Sequence, residues 1–219
     1  MSAHLHTLIS KKTILPLVVA TVLFWTPCII FFKVADEIVE KEPLFFDKPI
    51  LQAIHSHATP FWDSFFVTIT NLGGFIGILC FMVAVSGYLL WKKHYAHALF
   101  VAASVGGAAA ANVILKSFFQ RARPDLWEHL VIEKNFSFPS GHAMVSSAFI
   151  LALIYLAWHT KYRIAAIVAG ALFIILIGFS RLYLGVHYPS DVLAGWCVSA
   201  AWVAIVYGVM VHIQKRHKH

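Results

Sequence analysis

Residues 164–183 read IAAIVAGALFIILIGFSRLY, twenty positions with a single charge, Arg181, held back to the end. A helix of that length rises about 30 Å, the thickness of the hydrocarbon core of a bilayer. Five more apolar blocks of similar length lie at 13–32, 73–91, 95–115, 141–158 and 192–212, with charged stretches between them. At 60% hydrophobic and 12% charged residues, the 219-residue chain has too little polar surface to clothe a water-soluble globule. The pattern predicts an all-α fold: a polytopic membrane helical bundle of six transmembrane helices, one domain over residues 1–219. The first block follows Lys11 and Lys12 as the core of a signal peptide would. Its length, and the bulky Phe31-Phe32-Lys33 where cleavage needs small residues, mark it as a retained helix. Cys28, Cys80 and Cys197 lie inside apolar blocks, are odd in number and lack metal-ligand spacing, so they read as small buried apolar residues.

Six crossings place both termini on one side. That side collects Lys11, Lys12, Lys92, Lys93, Lys161, Arg163, Lys215, Arg216 and Lys218, and the positive-inside rule makes it cytoplasmic. All ten acids, Asp36, Glu37, Glu40, Glu42, Asp47, Asp63, Asp125, Glu128, Glu133 and Asp191, fall in the opposite loops or at their edges. The net charge of +7 therefore reflects topology, with nine basic and no acidic residues inside against eight basic and ten acidic outside. It is no sign of nucleic acid binding, which needs a solvated basic face.

The first outer segment, 33–72, is too long for a tight turn. Pro49, Ile50, Leu51, Ala53 and Ile54, then Pro60, Phe61, Trp62, Phe65 and Phe66, set apolar and aromatic residues at helical spacing, as in interfacial helices. Such helices serve as a cover packed on the bundle, as a lid or lateral gate for a lipid, or as both. Gly73-Gly74-x-x-Gly77, and Gly106-Gly107 with the alanines at 108–111, read as close helix packing in a membrane.

Ionisable residues beside membrane spans need a reason, and the topology brings three groups of them to the outer face. Lys116 closes the third span, with Arg121, Arg123 and Pro124 just after it. Alone, such a cluster is a snorkelling anchor, but the positive-inside bias disfavours it on this side. Phe138-Pro139-Ser140-Gly141-His142 leads into the fourth span, an anion site in outline. Backbone N–H groups of Ser140, Gly141 and His142 can face a phosphate oxygen while the Ser140 hydroxyl caps the helix or donates to the ligand. Ser180 and Arg181 end the fifth span, and His187 and Asp191 follow, four apart. A carboxylate at that spacing can hold one imidazole nitrogen protonated and leave the other as a neutral nucleophile or base. Each group has a plain structural reading: an N-cap, a satisfied histidine, a loop-stabilising His–Asp bond. Independent coincidence does not readily place four cations, two histidines and a carboxylate on one rim.

Three motifs in order then resemble the type 2 phosphatidic acid phosphatase superfamily of membrane lipid phosphate phosphatases, which shares its active-site pattern with the vanadium haloperoxidases. Lys116, six residues, then Arg123-Pro124 meets its first motif; Pro139-Ser140-Gly141-His142 meets the second; Ser180-Arg181, His187 and Asp191 meet the third. The resemblance implies that His187 attacks phosphorus to form a phosphohistidine, Asp191 orients it, and His142 protonates the leaving oxygen. It also implies that Lys116, Arg123, Arg181, the Ser140 hydroxyl and the Gly141 N–H bind the equatorial oxygens. Arg121 stands outside the defining pattern and is taken as a possible auxiliary. The partners implied are a membrane lipid phosphate and the bilayer, with undecaprenyl diphosphate or phosphatidylglycerophosphate as leading substrates of a bacterial inner-membrane enzyme whose site faces outward. No cofactor is expected, and no metal, since the fixed cations oppose a divalent ion and already supply its charge.

Two other functions compete. A phosphotransferase would use the same pocket and pass the phosphate to a second lipid. A lipid or solute transporter would carry its charges within helix centres and broken helices, whereas these charges sit at one rim.

Overall fold

The structure, a computed structural model, describes residues 11–40 and 44–216, and these form eight helices and no strand. They are α1 (Lys11–Val39), α2 (Asp47–His55), α3 (Pro60–Gly73), α4 (Phe75–Trp91), α5 (Tyr95–Phe119), α6 (Gly141–Ala157), α7 (Arg163–Tyr183) and α8 (Pro189–Arg216). The side chains of 11–20, 22 and 23, together with Glu42 and Lys218 of the charge pattern, lie outside the described residues.

The stretch at 164–183 shows why the chain belongs in lipid. On α7, Ile164, Val168, Leu172, Ile175 and Phe179 form an exposed stripe, while Gly170, Ile177, Gly178, Ser180 and Arg181 are buried. An apolar stripe facing outward with polar atoms turned inward suits a hydrocarbon solvent and no other. Among the described residues α5, α7 and α8 are each long and apolar enough to cross a bilayer. α3 and α4 make a further pair, bent by 47°, that counts as a fourth crossing if taken as one span. α6, with 17 residues, is shorter.

Several boundaries differ from the sequence reading. No glycine or proline interrupts residues 33–39, so α1 runs on to Val39 and carries Lys33, Asp36 and Glu37 that were expected in the outer segment. α5 continues past Leu115 to Phe119, placing Lys116 in its last turn, and Gln120 ends it in the left-handed region at φ 47°. Within the outer segment, α2 and α3 are the expected helices. Thr59 caps α3 by accepting from the Trp62 N–H at 3.4 Å, with Pro60 in the first turn. Cys80 is exposed on α4, a correction to its reading as buried: its helix is apolar all round, so burial has no hold on which side faces in.

α6 is the axle of the bundle. It packs against α5, α7 and α8, and more lightly against α3 and α4, while α1 flanks α8. Seven successive residues of its first half, Ala143–Phe149, are buried. Interhelical hydrogen bonds run from Ser199 Oγ to Met144 O at 2.6 Å and from Trp202 Nε1 to Ala103 O at 3.1 Å. Each is worth only about 0.6 kcal/mol in a membrane, so close packing carries most of the association. Gly107 makes room for the Trp202 ring and Gly73 for Ile177, as the glycine pattern implied; Gly106 is exposed with nothing near it. At Gly195 a side chain would stand 2.9 Å from Ser140 O, so only glycine lets α8 pass that close to the start of α6. The C-termini of α5 and α7 and the N-termini of α6 and α8 thus meet at one end.

Candidate active site

At that end a cavity of about 250 Å³ is lined by Phe75, Lys116, Arg123, Glu133, Gly141, His142 and His187, among others. Two larger spaces, of about 470 and 670 Å³, have neither His142 nor His187 on their walls. The small cavity is therefore the one with reactive chemistry.

His187 lies in the turn between α7 and α8 and is buried. Arg123 Nη1 stands 3.1 Å from its Nε2. A guanidinium cannot accept, so Nε2 carries the lone pair and the proton is on Nδ1. Nδ1 lies 3.4 Å from both Asp191 Oδ2 and Ser137 Oγ, and the Ser137 hydroxyl donates to Asp191 Oδ2 at 2.5 Å. Tyr188 N–H donates to the same oxygen at 2.8 Å. The expected turn between His187 and Asp191 is thus real, built by Pro189 and Asp191 in the first turn of α8. Burial, followed by the positive fields of Arg181, Arg123 and Lys116, pushes the His187 pKa well below its ordinary value. The imidazole is neutral near pH 7, with its lone pair toward the cations.

The cationic groups are held mainly by backbone carbonyls. Lys116 Nζ donates to Phe136 O; Arg123 donates to Asn135 O at 2.8 Å and Val186 O at 2.7 Å. Arg181, at the end of α7, donates to Thr70 Oγ1 at 2.6 Å and pairs with Glu133 Oε1. Its Nε is buried without a partner among the described residues. Glu133 Oε2 also lies 3.6 Å from Arg123. A guanidinium this deep is costly without an anion, and the Glu133 carboxylate supplies one.

Of the sequence-derived candidates, Lys116, Arg123, Gly141, His142 and His187 line the cavity. Arg181 is buried behind Glu133, and Asp191 behind His187. Ser140 is fully buried, and its hydroxyl accepts weakly from Ala143 N–H at 3.5 Å, as an N-cap. One expectation is corrected: the Ser140 N–H is not free, because it donates to Asp191 O at 3.0 Å, where the close approach at Gly195 brings α8 against α6. Gly141 and His142, heading α6, keep amides without intrahelical acceptors. Arg121, taken as a possible auxiliary, does not line the cavity. It turns away from the cavity to Asp191 Oδ1 at 2.5 Å and Asp47 Oδ2 at 2.7 Å, because two buried carboxylates outbid an open pocket.

Sequence reasoning gave Glu133, Ser137 and Asn112 no role at the site and took Gly74 for helix packing alone. Asn112 Nδ2 donates to Pro139 O at 3.0 Å, tying α5 to the entry of α6. A side chain at Gly74 would stand 3.2 Å from His142 Nε2, so the break between α3 and α4 leaves room for that ring. Only Ser137 carried a signal, as the hydroxyl residue directly ahead of the Phe138-Pro139-Ser140-Gly141-His142 stretch. The loop holding Glu133 is closed at its base by Ser137 N–H donating to Arg121 O at 2.8 Å. Its outer part is fastened by Trp127, which stacks on His55 of α2 at 3.9 Å between ring centroids and covers Gly185.

Compared with known families, residues 95–215, more than half of the chain, match the PAP2 superfamily. The chain belongs to that superfamily. The PAP2 chain is 29% identical over 167 residues to phosphatidylglycerophosphatase B of Bacillus subtilis (strain 168), which covers 74% of this chain and 82% of that protein. It is 31% identical over 197 residues to lipid A 1-phosphatase of Rhizobium johnstonii, covering 76% and 74%. The crystal structure of a transmembrane PAP2 type phosphatidylglycerolphosphate phosphatase from Bacillus subtilis superposes with a TM-score of 0.74 at 28% identity, over 89% of this chain and 96% of that one. The PAP2 chain is an integral membrane protein of a phosphatase superfamily, and its matched region begins with α5 and ends in α8.

Proposed function

We propose that this PAP2 protein hydrolyses a phosphomonoester or diphosphate of a membrane lipid, through a phosphohistidine on His187, at the outer membrane surface. The observation that carries the reading is the His187 ring: neutral, with Nδ1 toward Asp191 and the Nε2 lone pair beside Arg123, in the positive field of Arg181 and Lys116. Nε2 attacks phosphorus, and the bond to the lipid oxygen breaks as His142, held as the imidazolium by the negative charge of the bound phosphate, gives that oxygen a proton. Lys116, Arg123, Arg181 and the amides heading α6 hold the phosphoryl oxygens. His142 then takes a proton from water, the water oxygen displaces His187, and inorganic phosphate leaves.

The cavity wall that includes Phe75, Ala109, Val113 and Val145 is apolar, and Phe75 and Val113 are exposed on the bundle's outside. That side favours a substrate whose chain stays in the bilayer while its phosphate meets the cations. Undecaprenyl diphosphate and phosphatidylglycerophosphate are the leading candidates, the second being in keeping with the Bacillus subtilis relative. Six crossings, counting α1 and α6 and taking α3 with α4 as one span, put both termini in the cytoplasm and the site on the periplasmic or outer face of a bacterial inner membrane. Of the outer segment, α2 then remains to cover the site and act as its lateral gate.

The decisive experiment follows phosphate release from both lipids and from phosphatidic acid by detergent-purified protein in excess chelator. Release at full rate is expected, because the fixed cations do the work a divalent ion would do. Activity that disappears with the chelator and returns with Mg²⁺ or Zn²⁺ would contradict this mechanism, and label appearing only in a second lipid would make the protein a phosphotransferase.

Glu133 gives a second test. The phosphate has to displace its carboxylate from Arg181 and Arg123, so Glu133→Gln is expected to tighten inhibition by orthovanadate about threefold to tenfold. An unchanged or weaker inhibition constant would mean that Glu133 and the phosphate occupy different places.

A further inference from the structure

Arg121 does not face the phosphate cavity; it lies on the far side of Asp191 from His187. Its guanidinium stacks on the Tyr188 ring, 4.1 Å to the centroid, and donates to Ser190 Oγ at 2.7 Å, Asp191 Oδ1 at 2.5 Å and Asp47 Oδ2 at 2.7 Å. Asp47, the first residue of α2, is 2% exposed. It is locked beside Asp191 by accepting from Ser190 N–H at 3.0 Å and Ser190 Oγ at 2.6 Å. The outer segment therefore reaches the Asp191 side of the site through a buried carboxylate.

We infer that Asp47 and Arg121 are positioning residues for the reaction, which together orient Asp191 and keep its negative charge available to His187. The inference rests on His187 as the nucleophile proposed above.

Orientation comes from the division of the Asp191 oxygens. Arg121 takes Oδ1, which leaves Oδ2 for Ser137, the Tyr188 amide and His187. With both oxygens held, the carboxylate cannot rotate away from Nδ1. Charge comes from Asp47. An isolated Arg121–Asp191 pair would be neutral and would offer little to the cation that forms when His187 bonds to phosphorus. Adding Asp47 makes two carboxylates against one guanidinium, a cluster with a net charge of about −1 by the usual ionisation of these side chains. Burial works against the charge on Arg121, yet Asp191 and Asp47 outweigh it and hold its pKa above the ordinary arginine value. Asp191 is fully buried and the Arg121 side chain 14% exposed, so water and salt screen this field little.

The test compares kcat and KM for lipid phosphate release among wild type, Asp47→Asn, Arg121→Gln and the double variant. Asp47→Asn is expected to lower kcat about tenfold or more, the effect of one uncompensated charge near a buried reacting group, with KM changed by less than about twofold. In the Arg121→Gln background the same change is expected to cost less than about threefold, because no cation remains for Asp47 to offset. Equal losses in the two backgrounds, or an Asp47→Asn effect confined to KM, would overturn the inference and leave Asp47 a tether for α2. If Asp47→Asn alone does not fold, the double variant against Arg121→Gln answers the question: a further loss above about tenfold rejects the charge argument. His187→Ala is measured alongside. Phosphate release retained there removes the nucleophile reading itself, whereas release abolished there, with additive effects of Asp47 and Arg121, removes only the positioning cluster.

Discussion

Protein carrying His187→Ala is expected to release lipid phosphate about 10⁴-fold more slowly than wild type, or not measurably, since removal of an activated nucleophile leaves only binding and electrostatics. The arrangement leaves no obvious substitute. Ser137 is fully buried and donates its hydroxyl to Asp191, and His142, which lines the same cavity, is the group proposed to protonate the leaving oxygen. Rapid quenching of wild type with a lipid labelled in its terminal phosphate should trap label on the protein in an acid-labile, base-stable form. The variant should trap none. Activity within tenfold of wild type, with a normal melting curve, would mean that another group or water attacks directly.

His142→Ala is expected to behave differently with different leaving groups. A lipid alkoxide or phosphate ester is a poor leaving group without a proton, so loss of the general acid should cost about 10²- to 10⁴-fold. An aryl phosphate whose phenolate leaves readily needs no proton, and its first step should slow by less than about tenfold. Hydrolysis of the phosphohistidine still needs a base for the attacking water. The variant should therefore give a burst of phenolate equal to the protein present, followed by slow turnover. Equal losses with both substrates and no burst would assign His142 to phosphate binding rather than proton transfer. The space that Gly74 leaves beside His142 Nε2 adds a corollary: Gly74→Val should impair the lipid reaction by displacing the ring.

The sequence spoke most clearly where a residue's position is set by local helix geometry. The apolar stripe and buried face of α7, the turn from His187 to Asp191 and the start of α6 at Gly141 all follow from short-range rules, periodicity, a proline at a helix start and an N-cap. Long-range pairing was not legible in the same way. Asp47 and Arg121 are 74 positions apart, and nothing in the local pattern of either marks the other as its partner. Arg121, a possible auxiliary outside the defining pattern, pairs with two carboxylates that its neighbours in the sequence do not announce. Glu133 sits in an irregular loop with no period to assign it a direction, so its place between Arg181 and Arg123 emerges only when α7 and the loop are folded together. The break at Gly74 escaped for another reason: its glycine looks the same whether it admits a helix or a histidine.

The hydrogen bond from Ser137 N–H to Arg121 O has a consequence for how this protein can diversify. It joins the two ends of an irregular stretch, so the entropy of closing that stretch is met at its neck and depends only weakly on how many residues lie beyond. Arg123 and Glu133 stand near the neck, while 125–132 forms the tip, where Trp127 reaches α2. A graft of a different tip, longer or shorter, should leave the reacting groups in register while changing what surrounds the lipid head. New substrate preferences can then arise by exchange of a module, with no need to rebuild the bundle beneath it.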